Sequence, residues 1–331
     1  MRNPIRDRMQ VKGKLMRMPR FVPWAMVIVF ASNIVFAKKP WIIDPHTHFK
    51  GEQQIAYEAT IKEWHPDNSL GKVVKPEDYR VVADRLELRS TLVVEACDQD
   101  KPEYNDWVLQ QVAQSELLCG YVARADLSSS DFLIHHRRYQ QTGFLNGYRF
   151  RFEELNGYLN DSLARQHLAL LEREGLVVDL LVEASSADDI VALAKDYPRL
   201  GIVVNHCFRA KIVAGDISDE LKTAITKCAA QRNVFCKMSS INNFSEVAPF
   251  TEPAPTTLAY YLPVLEPVFN AFGPDRIIFA TNWGVSAHFG SVDNVKDIVL
   301  AYLSPKGQRV VDKVMFRNAI AFYKIKRKHL R

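Results

Sequence analysis

The chain is poor in cysteine, and no two of its five thiols form a Cys-x-x-Cys pair. Cys97, Cys119, Cys207, Cys228 and Cys236 stand at irregular intervals. An odd number without regular spacing implies no disulfide framework. Four of the five fall in or beside apolar runs and read as buried thiols. A glycine-rich turn is also missing after the first apolar run, which argues against a doubly wound nucleotide-binding sheet. There is no short-period repeat and no low-complexity segment. Charge of one sign is absent from most of the chain. Residues 1–37 hold seven basic residues and one acid, which leaves 36 basic against 37 acidic residues in the rest. The formal net charge of +5 therefore belongs to the first residues and does not point to nucleic acid. The basic cluster Lys324–Lys328 reads as a solvated tail.

The first 37 residues read as a secretory signal. A basic stretch precedes the apolar run Phe21–Ala37, and Val35-Phe36-Ala37 suits cleavage after Ala37. Translation starting at Met9, Met16 or Met18 would shorten the long basic stretch. An uncleaved anchor is the alternative, although the run is short for a bilayer and contains Pro23, Ser32 and Asn33. No later segment looks transmembrane, so membrane contact would come only through an uncleaved leader. The expected mature chain, 38–331, is then exported.

What is present is a repeating alternation. Eight apolar strand-like runs are Trp41–Pro45, Thr91–Ala96, Leu118–Ala123, Gly147–Arg151, Val177–Glu183, Ile202–His206, Val234–Met238 and Ile277–Thr281. Continuous apolar runs suit parallel strands covered on both faces. Helical spacing recurs between them, as in Leu163–Glu172 and in Asp188–Lys195, with Ser185 and Ser186 as candidate caps. Eight strand–helix repeats predict a single α/β domain, a (β/α)8 TIM barrel. With 47% hydrophobic residues, the chain is large enough for one such core. Two long loops, Phe49–Lys75 and Asn242–Pro255, would lie on the face where barrels build their sites, and the first could act as a lid. A last helix over Lys306–Tyr323 would close the barrel's bottom or side.

The chemistry starts at Asp44-Pro45-His46-Thr47-His48, on the end of the first strand. Residues two apart on a strand share a face, so both imidazoles aim at one metal ion or one polarised oxygen. Other strand ends add Glu95 and Cys97, Arg149 and Arg151, Glu183, Asn205-His206, Lys237 and Ser239, and Thr281-Asn282-Trp283. Polar groups ending many different apolar strands are what a barrel active site needs.

Together with Val93-Val94-Glu95-Ala96, Asn233–Ser239, Phe272–Trp283 and Asn318-Ala319, these motifs resemble the amidohydrolase-related family. They are most similar to its lactonase-like branch, TIM-barrel hydrolases of sugar-acid and carboxylated lactones. The resemblance covers residues 41–325. It implies that His46, His48 and His206 bind a divalent metal, Zn or Mn, or contact substrate in a metal-free site. It implies that Arg149 holds a substrate carboxylate with its guanidinium fork.

One departure matters. The family's eighth strand ends in Ser-Asp-Trp, and its aspartate binds metal or takes a proton from water. Here the run is Thr281-Asn282-Trp283, and a carboxamide cannot take up that proton. The histidine that metal-dependent relatives carry on the fifth strand is also missing. Glu95, Glu183, His288 or a histidine of the first-strand pair is the expected substitute base.

The expectation is a hydrolase opening a small lactone or related cyclic ester. Catalysis falls to His46, His48, His206 and Asn282, and substrate binding to Arg149, Glu95, Lys237, Trp283 and His288. A binding protein that lost its base is the alternative, and a decarboxylase the third reading. The only partner expected is a small-molecule substrate. Asn243-Phe244-Ser245 is a glycosylation sequon by pattern. His135 and His136 read as residues of a surface helix.

Overall fold

The computed structural model describes residues 41–60, 72–96, 101–152 and 154–330. The signal reading of residues 1–37, the middle of the first long loop and Cys97 lie outside these residues.

Eight parallel strands follow one another in chain order. They are β1 (Ile43–Thr47), β2 (Ser90–Val94), β3 (Leu118–Ala123), β4 (Leu145–Arg151), β5 (Val177–Leu181), β6 (Gly201–Val204), β7 (Val234–Ser239) and β8 (Ile277–Ala280). A parallel bridge between Thr47 and Trp283 joins the end of the sheet back to its beginning. The predicted barrel is therefore the observed one, with strand ends displaced by up to two residues. The first strand begins at Ile43; Trp41 is 41% exposed and meets Phe316 edge to face outside the sheet.

Apolar side chains divide into two layers. The larger cluster fills the space between the strands and the surrounding helices. A smaller one, including Ile43, Leu92, Val122, Val203 and Ile278, meets Phe322 and Tyr323 of the helix Asn318–Tyr323. The end of the chain thus plugs the barrel. The single closing helix expected over Lys306–Tyr323 is broken into pieces. Gly307 has φ 95°, so helix resumes only at Gln308, and a π turn spans Lys313–Arg317. The helix Ser162–Glu174 follows the usual rules: Asp161 caps its start, and Gly175, at φ 71°, ends it. Ser186 precedes the helix Ala187–Asp196, but its side chain makes no cap. The first long loop carries its own structure, a Lys50–Val74 pairing and the helix Glu52–Glu58. His136 is buried, not on a surface: its ring nitrogens lie 2.8 Å from Tyr148 Oη and 2.8 Å from Glu174.

Two local departures from regular backbone position the site. In β1 the register against β2 shifts between Asp44 and Thr47, where Pro45 interrupts the ladder. Asp44 is thereby free to bind between strands. It accepts from Tyr79 Oη (2.5 Å), from Thr281 N–H (2.8 Å) and from the Thr281 hydroxyl. One buried carboxylate thus clasps the first strand to the last. After β6, four consecutive non-glycine residues, His206–Arg209, take left-handed φ values between 49° and 63°. Each costs roughly 1–2 kcal/mol, so surrounding contacts must impose the turn. Phe208 is buried, Cys207 Sγ donates to Lys237 O (3.4 Å), and Arg209 pairs with Glu183 at 2.7 Å.

Candidate active site

The two strand-end histidines and His206 meet at the mouth of the barrel. Ring centroids lie 4.9 Å apart for His46 and His48, and 4.7 Å for His46 and His206. All three are buried. Burial disfavours their charged forms, and nearby cations add to the effect. His46 and His206 lie well below the ordinary imidazole value, the latter also through Arg149 and Lys237. His48 is pulled down to about 3 by burial and Arg149. The cluster is neutral at physiological pH.

Neutral rings carry one proton each, and their neighbours show where. His48 Nδ1 lies 2.9 Å from the Val94 carbonyl, which can only accept, so the proton sits on Nδ1. Nε2 is then an acceptor facing Asn282 Oδ1 at 3.1 Å, an acceptor too, while Asn282 Nδ2 donates to Ser240 Oγ (2.9 Å). The amide satisfies both partners by turning its NH2 to His48 and its oxygen to the Ser240 hydroxyl. His46 has the opposite arrangement. Lys237 Nζ lies 3.0 Å from its Nδ1, so Nδ1 accepts and Nε2 carries the proton. That Nε2 is buried with no partner among the described residues. His206 Nδ1 lies 2.8 Å from Ser239 Oγ.

Arg149 enters from β4, only 5% exposed. Its Nη1 donates to Glu95 O (3.2 Å) and lies 3.6 Å from the Glu95 carboxylate, while its Nε is buried without an acceptor. Burial lowers its pKa to about 10, against the pull of Glu95. Glu95 itself is gripped by Arg151 through Nε (3.0 Å) and Nη2 (2.6 Å). Burial would raise this carboxyl, but Arg151, Arg149 and Arg124 overturn that and hold it at about 2.

Several expected residues have other tasks. Glu95 is no substitute base, being a clamped carboxylate. Glu183 is exposed and paired with Arg209. His288 packs at a tilt on Phe250, at 3.8 Å between ring centroids. Trp283 packs against Tyr79 and Phe49, not the histidines. Lys237, expected to touch substrate, is fully buried, and its three N–H bonds go to Pro45 O (3.0 Å), His46 and Asp179 (2.5 Å). Sequence reasoning missed Asp179 and Tyr323. The Tyr323 hydroxyl donates to Asp179 Oδ1 (2.8 Å). The available signal was an acid in the middle of the apolar run Val177–Val182.

These donors do not suit a resident divalent ion. His46 presents an N–H where a ligand needs a lone pair, which leaves His48 Nε2 as the one lone pair that the first-strand histidines offer. The carboxylates of Glu95 and Asp179 are held by arginine and lysine. Among the described residues, no three His, Cys, Asp or Glu side chains converge to hold a metal.

Comparison with known proteins adds the relatives. The family model of the amidohydrolases matches residues 43–325. An L-fucono-1,5-lactonase from Burkholderia ambifaria is 25% identical over 299 residues, covering 86% of this chain and 96% of the relative. A crystal structure of an amidohydrolase from Burkholderia multivorans with bound zinc superposes with TM-score 0.74 at 18% identity, covering 86% of this chain and all of that one. A 2,6-dihydroxybenzoate decarboxylase from Rhizobium has the same fold, with TM-score 0.58 at 14% identity, covering 86% of this chain and 99% of that one. The barrel alone does not select the reaction.

Proposed function

The chain belongs to the amidohydrolase family, and from that premise we propose that it opens a small lactone or related cyclic ester by water attack. One observation carries the reading. Two buried donors on different strands, His46 Nε2–H and Arg149 Nε–H, have no acceptor among the described residues. Buried donors without partners are costly, and a substrate is the partner they lack. The similarity to an L-fucono-1,5-lactonase supports a lactone as that substrate.

In this reading His46 donates to the lactone carbonyl oxygen and strengthens that bond as negative charge develops there. Arg149 holds a carboxylate or hydroxyl of the substrate and orients the ring. The attacking water displaces the Asn282 amide from His48 Nε2, whose freed lone pair receives the proton. The tetrahedral adduct collapses by breaking the bond to the ring oxygen. That oxygen takes the proton back from His48, and the product is a hydroxy acid. In the free protein the field of Arg149 helps keep His48 a weak base, and a substrate carboxylate paired with Arg149 removes part of that field. The site needs no resident divalent ion in this scheme.

The test is a pH-indicator hydrolysis screen over neutral and carboxylated lactones, before and after chelation. Turnover that survives chelation is expected. No ring opening on any lactone would overturn the reading, and turnover restored only by Zn²⁺ or Mn²⁺ would overturn its metal-free form.

A further inference from the structure

The barrel interior contains a chain of polar groups that, short of its last member, the proposed reaction does not use directly. It runs from Tyr323, in the plug at the bottom, through Asp179 on β5 and Lys237 on β7 to His46 at the mouth. Asp179 and Lys237 are both fully inaccessible to solvent. Burying such a pair is expensive, and a hydrophobic pair of the same shape often serves stability as well or better. A pair kept in the middle of an active barrel therefore invites a functional explanation.

Its geometry supplies one. Lys237 has three N–H bonds and three acceptors: Asp179, the Pro45 carbonyl and His46 Nδ1. Asp179 in turn accepts from Lys237, from Asn205 Nδ2 (3.3 Å) and from Tyr323. With two N–H bonds held by Asp179 and Pro45 O, the ammonium aims its third at one imidazole nitrogen. We infer that Lys237 is a positioning residue that fixes His46 in the tautomer with its proton on Nε2, and that Asp179 and Tyr323 hold Lys237 to this task. Val94 fixes His48 in the opposite tautomer. Two histidines on one strand, two residues apart and both neutral, thereby take opposite duties: His46 donates and His48 accepts. The same device explains why the histidine pair does not suit a metal, which would need a lone pair on both.

The kinetic part of this inference rests on the lactonase reading; the tautomer assignment does not. The decisive measurement is a long-range ¹H–¹⁵N correlation spectrum of the full chain labelled in histidine, with His46 identified through His46→Asn. The expected spectrum has His46 protonated on Nε2 and His48 on Nδ1. A proton on His46 Nδ1 in the wild type overturns the inference without any variant. The companion test is Lys237→Met with Asp179→Leu, which removes both charges together, because either change alone strands a buried ion. The double variant should lose the Nε2–H pattern at His46 while other histidine signals stay in place. Its kcat on a lactone substrate should fall about 100-fold or more, as when an oxyanion donor is lost, with KM little changed. An unchanged tautomer and kcat in a folded double variant would overturn the inference. If His46 carries the Nε2 proton but no lactone is turned over, the functional reading fails and the tautomer assignment stands.

Discussion

Arg149 and Asn282 show how much a single side chain decides. Arg149 is a buried cation whose Nε–H has no acceptor among the described residues; in the proposed reading its replacement removes a charge-assisted contact to substrate, along with the Nη1 bond to Glu95 O, while Glu95 keeps Arg151. Arg149→Met should raise KM for carboxylated lactones about 10- to 100-fold, the equivalent of one such contact. The change on neutral lactones should be smaller. Steady-state kinetics on both classes checks this, and an equal loss on both would mean that Arg149 only shapes the site. Asn282 stands where the family resemblance leads one to expect an acid, and the sequence reads as a loss. In the structure its amide bridges His48 and Ser240. The histidines, Arg149 and Asn282 were legible because each ends an apolar strand. The tasks of Lys237, Trp283 and His288 were not, because a side chain's partner on a distant strand leaves no trace in local spacing.

At the scale of elements, the strands were the most legible part, since apolar runs of parallel strands need no context to be seen. The β1 irregularity and the left-handed turn after β6 were invisible. Non-glycine residues do not advertise positive φ, and four in a row at His206–Arg209 are imposed by tertiary contacts. The clasp between β1 and β8 belongs to this scale as well. Asp44 reads as part of a histidine motif, but its carboxylate satisfies a phenol, a hydroxyl and a backbone N–H across the barrel seam. Asp44→Ala strands these buried donors and should lower unfolding free energy by about 3 kcal/mol or more. Urea unfolding measures this. A loss under about 1 kcal/mol, the value of one ordinary hydrogen bond, would show that the seam closes without the clasp.

The whole molecule carries the cost of keeping three imidazoles neutral. Unfolded, each takes up a proton near pH 6.5; folded, His46 and His206 do so well below that, and His48 at about 3. Between the two values the unfolded chain binds more protons, so stability rises with pH there. The contribution is complete above pH 6.5 and is lost as pH falls below it. Each histidine costs about 1.4 kcal/mol per pH unit, and the three together about 4. Glu95, held at about 2, adds a further loss from pH 4.5 downward. Thermal melts at pH 7.5, 6.5 and 5.5 should show a plateau and then a steep fall. Equal stability at pH 7.5 and 5.5 would mean that the histidines are not held neutral.

The amino-acid sequence by itself determined the barrel, the family and the strand ends at which chemistry gathers. Those follow from short-range patterns: apolar period, strand–helix alternation and polar residues just beyond each strand. Only the tertiary structure decided which nitrogen of His46 and of His48 bears a proton, which acid is clamped and which lysine is spoken for. Those properties are set by partners on other strands, such as Lys237 for His46 and Arg151 for Glu95. Closing the barrel brings these partners within 3 Å and removes the water that would otherwise have let either state exist.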